Sequence, residues 1–333
     1  MANPSIMWSV VFFALVMTCV HGIGAMHQAS AEPTGGALAG DRPRVVVSTD
    51  VGGSDPDDFQ SMVHLLLYAD VLDLEGLIAS PPHQGRAHHI LEVIDAYEAD
   101  YDNLESDAYP TPDALRAITA QGAIDPAPEQ GFTESTEGSQ LIIERAKVHD
   151  ERPLWVLVWG SITDVAQAVH DDPSIKEHIR VYSIGSWNTR QDPHARDYLY
   201  NNHPDLWWIE SDTTFRGMYV GGDQTEDLGN RSFVEKHVRG HGALGDFFYE
   251  KKRDIKMGDT PSVLYLLRGD LDDPTGESWG GAYVPTDHGP NYWTDNPDPA
   301  LQEGDHFPGA KTVNRWREAY LRDWAARMKP LQR

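Results

Sequence analysis

Residues 48–58 read STDVGGSDPDD, setting four carboxylates (Asp50, Asp55, Asp57 and Asp58) and two glycines between an apolar run and a helical pattern. The preceding RVVV, Arg44–Val47, is a β-branched run of the kind found in a strand buried on both faces. Beyond it, Phe59, Met62, Val63, Leu66 and Leu67 recur at helical spacing, which predicts a helix beginning near Pro56. Gly52 and Gly53 then form the turn. A strand–turn–helix junction of this kind is where α/β enzymes keep their chemistry.

Helix-start chemistry accounts for part of the acidity: Ser54 or Asp55 as N-cap, Pro56 at the first helical position, and Asp57 and Asp58 opposing the dipole. Asp58, four residues before Met62, extends the apolar stripe and is expected to face the sheet. Asp50, at the strand end, is expected to project into the same crevice. Two converging carboxylates repel unless a cation lies between them. An all-oxygen donor set suits a hard cation, Ca²⁺ before Mg²⁺, and argues against zinc because no Cys or close His pair accompanies it.

Short apolar runs alternate with helical patterns along most of the chain, the signature of an α/β fold with an open, mostly parallel sheet and helices on both faces. The predicted strands are 45–48, 74–79, 154–158, 181–184 and 207–209, with helices around 87–97, 139–148 and 164–170. Residues 102–136 are expected to form a loop-laden excursion around one short helix near Pro112, and residues 269–309 an irregular aromatic loop. The last helix, 313–328, presents Val313, Trp316, Tyr320 and Trp324 on one face, a stripe that suits core docking.

Composition bounds the function. Met7–Val20 is an apolar run too short to span a bilayer, and Ala29-Ser30-Ala31 supplies a small-x-small cleavage site. Residues 1–31 therefore read as a signal peptide of a secreted or periplasmic protein, with lipid anchoring at Cys19 as the alternative. Cleavage removes the single Cys, leaving neither disulfide nor thiol nucleophile. Residues 32–333 suffice for one α/β domain. The formal charge of −25, from 52 acidic and 27 basic side chains, falls wholly outside the leader and excludes nucleic acid and anionic lipid as partners.

Asp50 followed by Asp57-Asp58 at a helix start resembles the aspartate-rich motif of the nucleoside hydrolase superfamily, lengthened here around residues 53–55. VLVWGSITD, residues 156–164, is similar to the family's strand and Gly-Pro-Leu-Thr-Asn turn, where the residue before Gly gives a carbonyl to calcium. MGDTPSVLYL, residues 257–266, resembles the late His-Asp-Pro element that supplies the last calcium carboxylate. The wording of PDD-x-QS, DLEGLIAS and WWIES-x-TTFRGMYVGG looks like the exported bacterial branch called nucleoside-hydrolase-like and sometimes labelled cellulose-binding.

That resemblance implies Ca²⁺ held by Asp50, Asp58, Asp259 and the Trp159 carbonyl, with Asp50 as the base for an attacking water and inversion at an anomeric carbon. It implies Asp57 and either Asn201 or Asn202 as substrate-binding residues. Trp279, Tyr283, Tyr292 and Trp293 form either a stacking wall for a sugar or the packing of a long loop. Two departures matter. Ser48 replaces the first family Asp, and Gly258 stands where the family's His protonates the leaving group; His241 and His288 are the alternative acids. The implied ligand is a small sugar, nucleoside or oligosaccharide. A non-catalytic carbohydrate-binding protein that keeps the metal is the rival reading, and a homo-oligomer is compatible with either.

Overall fold

The computed structural model describes Met1 and residues 31–53, 55–82, 85–132 and 134–332. The expected signal peptide lies almost wholly outside the described residues. Chain contacts separate Met1–Glu32 from the unit Pro33–Arg333, which carries all the features below. Among the described residues no helix is long and apolar enough to cross a membrane.

The unit is built on one eight-stranded sheet: β1 (Arg44–Thr49), β2 (Asp73–Ala79), β3 (Thr119–Gln121), β4 (Leu154–Val158), β5 (Ile179–Ile184), β6 (Trp208–Ser211), β7 (Tyr283–Pro285) and β8 (Tyr292–Asp295). Their order across the sheet is β3-β2-β1-β4-β5-β6-β8-β7, and every pair is parallel except β7–β8. The chain winds outward from β1 through β2 to β3, then returns to start β4 on the other side of β1. That reversal opens a crevice above the carboxyl ends of β1 and β4, the place where open α/β sheets bind ligands.

Alternation along β1 feeds two cores. Val45 and Val47 join the apolar cluster beneath the helices Asp57–Leu67, Ala87–Asp100 and Thr260–Leu267. Val46 joins the opposite cluster beneath Glu137–Ala146, Thr163–Asp171 and Pro193–Asn202. Both β1 and β4 are buried throughout, which is why they read as unbroken apolar runs.

Three expectations are corrected. The excursion after residue 102 holds the expected helix, Pro112–Ala117, but also the edge strand β3, whose three residues are too few to show a period. The aromatic loop contains β7 and β8, and its rings serve the core. Trp279, Tyr283 and Tyr292 are buried, and Trp293 packs on Trp207 with ring centroids 4.8 Å apart. The last helix is two, Ala310–Asn314 and Arg317–Met328, and the break falls beside Arg317. The buried guanidinium of Arg317 donates to the carbonyls of Leu228 (2.9 Å) and Met218 (2.8 Å) and to Asn230 Oδ1 (2.7 Å).

The apolar stripe of that last segment is core, as its spacing suggested: Val313, Trp316, Tyr320 and Trp324 are all buried. Trp324 meets Phe233 and Phe248 at 4.9 and 5.4 Å between ring centroids. Trp324→Ala is expected to lower the unfolding free energy by about 3–5 kcal/mol through lost contacts and the cavity left behind, read as a reduced midpoint in urea denaturation.

Candidate active site

Above the carboxyl ends of β1, β4 and β5 lies a cavity of about 360 Å³, lined by Asp50, Asp55, Asp57, Asp58, Trp159, Ser186, Asn188, Phe215, Arg216, Tyr219, Lys256 and Asp259. The backbones that frame it approach closely. Trp159 N–H donates to the Ser48 carbonyl at 2.7 Å, and a Cβ on Gly160 would stand 2.8 Å from that of Asp50. Only glycine fits where the turn after β4 crosses the turn after β1.

Asp58 points inward, as its helical position required, and is buried. Thr49 Oγ1 donates to Asp58 Oδ1, and Val51 N–H donates to Thr49 Oγ1 at 3.2 Å. Thr49 thus supplies the orienting hydrogen bond, whereas the hydroxyl of Ser48 is buried without a partner. Asp57 opens the helix after Pro56, and among the described residues no side chain caps its start, contrary to the N-cap role expected of Asp55; Ser54, the other expected cap, lies outside the described residues. Asp55 instead accepts from Lys256 Nζ at 2.9 Å.

Carboxylate oxygens of Asp57, Asp58 and Asp259 lie within 4.8 Å of one another. Asp50 and Asp58 are near enough to share a hydrogen bond. Asp259, the residue before the helix Thr260–Leu267, is buried, and among the described residues its Oδ2 has no hydrogen-bond partner. Burial, backed by the charges of Asp57 and Asp55, pushes the Asp50 carboxyl up to about 7 even though its link to Asp58 pulls the other way. Burial and then the neighbouring carboxylates hold Asp57, Asp58 and Asp259 well above the ordinary range. Like charges kept together out of water call for a cation, and hard oxygen donors suit Ca²⁺ or Mg²⁺.

Trp159 lines the same cavity, and its indole N–H donates to Ser262 Oγ at 2.8 Å. The amide of Asn188 donates to the Trp159 carbonyl at 2.9 Å and to the Ile184 carbonyl at 3.0 Å. A carbonyl oxygen has two lone pairs, so this bond leaves one for a further partner. Asn188 was not anticipated. It opens the short helix after β5, and SWN carried no spacing that marked it; the residues singled out, Asn201 and Asn202, are exposed at the far end of the next helix. Ser186, just before Asn188, holds φ at 59°, with its N–H donating to Asp212 Oδ1 at 2.5 Å.

Gly258 borders the carboxylate cluster. A Cβ there would stand 2.9 Å from Asp57 Oδ2 and 3.4 Å from the Phe215 ring, so any side chain would displace Asp57. His241 and His288 lie outside the cavity lining: His241 sits by the Arg239 carbonyl, and His288 stacks on Tyr200 with centroids 3.5 Å apart. Trp279 and Trp293 also lie outside it.

The family model described as cellulose-binding Sde182, nucleoside hydrolase-like domain, matches residues 44–283. Among solved structures, a nucleoside hydrolase-related hypothetical protein from Saccharophagus degradans, associated with carbohydrate metabolism, is 26% identical, with a TM-score of 0.69 over 88% of this chain and 72% of that one. The type III effector protein XopQ, complexed with adenosine diphosphate ribose, is 13% identical, with a TM-score of 0.56 over 87% and 95%. An inosine-uridine preferring nucleoside hydrolase from Bacillus anthracis is 17% identical, with a TM-score of 0.52 over 86% and 99%. The last two likenesses concern the fold alone. No curated protein matches the sequence.

The raised Asp50 carboxyl sets a sign for stability. Between the ordinary value of 3.8 and about 7 the folded chain holds the proton that the unfolded chain has lost, so this group's contribution to stability falls as pH rises. In the presence of EDTA, the melting temperature of Asp50→Asn is expected to gain on that of the unaltered protein as pH rises through that window. A difference that stays constant with pH is the contrary result.

Proposed function

The chain belongs to the cellulose-binding Sde182 nucleoside hydrolase-like family, and from that membership we propose that it is an exported, calcium-dependent hydrolase of a glycosidic or N-ribosidic bond. The observation that carries the reading is the Asp259 carboxylate, buried beside Asp57 and Asp58 with one oxygen unpartnered. A buried oxygen without a donor is costly, and a cation is the partner that answers it and its neighbours together.

Asp50, Asp58, Asp259 and the Trp159 carbonyl would hold the ion. Asp57 lies in the same oxygen cluster as Asp58 and Asp259, and its carboxylate would accept from a sugar hydroxyl. A bound Ca²⁺ would supply Lewis acidity that eases removal of a proton from water. Asp50 would take a proton from the attacking water, which adds to the anomeric carbon with inversion. Asn188 keeps the Trp159 carbonyl in place. The cavity, about 360 Å³, lies in the range of small-ligand pockets, roughly 300–1,000 Å³, and suits a sugar with one substituent better than a length of polysaccharide.

Export rests on residues 1–31 as the signal peptide, leaving residues 32–333 as the mature domain. The sugar ligand has support from the family description and from the carbohydrate association of the Saccharophagus degradans relative. A second reading, a non-catalytic carbohydrate-binding protein that retains the metal, is favoured by Gly258, which leaves no acid where the family's His is expected.

The test is to incubate the purified protein with p-nitrophenyl β-D-ribofuranoside, inosine, uridine and cello-oligosaccharides, with Ca²⁺ or EDTA. Turnover is expected with Ca²⁺ and not with EDTA, and Asp50→Asn is expected to lose ~10²–10⁴-fold in kcat. Binding of a saccharide by calorimetry with no turnover of any member of the panel establishes the second reading instead.

A further inference from the structure

Breaking a glycosidic bond leaves an oxygen that needs a proton, and among the described residues no histidine lines the cavity to provide it. The wall that a side chain at residue 258 would meet is Phe215, on the short 3₁₀ helix Thr214–Met218. The residue that ends this helix, Tyr219, lines the same cavity as Asp50, Asp57 and Asp259. We propose that Tyr219 is the general acid of this site, donating its phenolic proton to the departing oxygen; the inference rests on the hydrolase reading above.

Two features make the phenol a donor. Arg216 Nη1 donates to the Tyr219 hydroxyl at 3.0 Å. A guanidinium has no acceptor, so the hydroxyl oxygen is the acceptor in that bond and its own proton is left for another partner. Arg216 is held from the other side by Ser186 Oγ at 3.4 Å, and among the described residues no carboxylate lies within 4.0 Å of its guanidinium, so its charge is not spent elsewhere. The ammonium of Lys256 lies 5.0 Å from the centre of the Tyr219 ring. Arg216 therefore stands ready to stabilise the phenolate left by proton transfer, while Lys256, paired with Asp55, lies near the ring.

The groups acting on the hydroxyl are Arg216, Lys256 and Asp57: burial and Asp57 push it up, and both cations pull it back. The proton is retained at neutral pH, yet a phenol remains a stronger acid than the alcohol that leaves. The backbone of Tyr219 is anchored independently of its hydroxyl, because Asn230 Nδ2 donates to the Tyr219 carbonyl at 2.8 Å.

The step balances without a co-reactant beyond water. The bond from the anomeric carbon to the leaving oxygen breaks, its electron pair stays on that oxygen, and the Tyr219 proton joins it. The water oxygen bonds to the anomeric carbon and gives its proton to Asp50. Solvent then returns one proton to Tyr219 and removes one from Asp50.

Tyr219→Phe tests the role through the leaving group, because p-nitrophenolate departs unprotonated and methoxide does not. On methyl β-D-ribofuranoside and methyl β-D-cellobioside the variant is expected to lose ~10²–10⁴-fold in kcat/KM, and at least tenfold less on the matching p-nitrophenyl glycosides. Equal losses on both overturn the assignment while leaving the hydrolase reading intact. Failure of the unaltered protein on all four substrates overturns that reading and the assignment with it. As a second measurement, 3,5-difluorotyrosine at position 219 offers a more acidic phenol of nearly the same size, and it is expected to move the alkaline limb of kcat/KM to lower pH. An unmoved limb overturns the proposal.

Discussion

Four carboxyl groups kept out of water at one end of a sheet are the constraint around which this molecule is arranged. Such a cluster costs free energy unless each oxygen finds a donor or a cation. The donors are few: Thr49 for Asp58, and the ammonium of Lys256, which reaches Asp55 and approaches Asp57 at 3.9 Å. Asp259 is left with an oxygen that no described residue satisfies. The surrounding fold holds this arrangement from all sides, through the fully buried β1 and β4, the close crossing at Gly160, and the helices that deliver Asp58 and Asp259. A site that repels itself stays assembled because the parts that hold it are apolar and extensive.

The cavity also holds charge of the other sign. Arg216 and Lys256 belong to a chain in which acidic groups outnumber basic ones by 52 to 27, and both line the cavity. The crevice therefore carries both signs, with Lys256 paired to Asp55 and Arg216 bound to the Tyr219 hydroxyl.

Much of the site was legible because the strands around it are buried on both faces and write themselves as apolar runs. Strand β4 coincides with its predicted bounds, and Asp58 was expected inward because a helix places residue 58 above residue 62. What escaped detection lacked a period. Strand β3 is three residues long, and the aromatic rings between 269 and 309 gave no sign of whether they faced ligand or core. Asn188 and Tyr219 escaped because their placement depends on turns. Ser186 at φ 59° redirects the chain after β5, and a 3₁₀ helix of five residues aims Tyr219 into the crevice. Neither has a sequence signal beyond the residue itself. The Asn pair at 201 and 202 was drawn from a resemblance in wording, and wording does not measure distance.

The sheet's two borders carry a consequence of a different kind. One ends in β3 and the other in β7, each three residues long, and β7 closes with Pro285, which has no N–H to offer. Strand β7 also runs against its neighbour, so an added strand would meet an antiparallel, proline-terminated edge on one side and a stub on the other. An eight-stranded parallel sheet with long open borders would be a template for chain-to-chain zippering; this one offers an incoming backbone too few consecutive hydrogen bonds to hold it. Self-association, if the protein uses it, must run through side-chain surfaces and not through a continuous intermolecular sheet, and the same short borders guard a densely concentrated preparation against fibril growth.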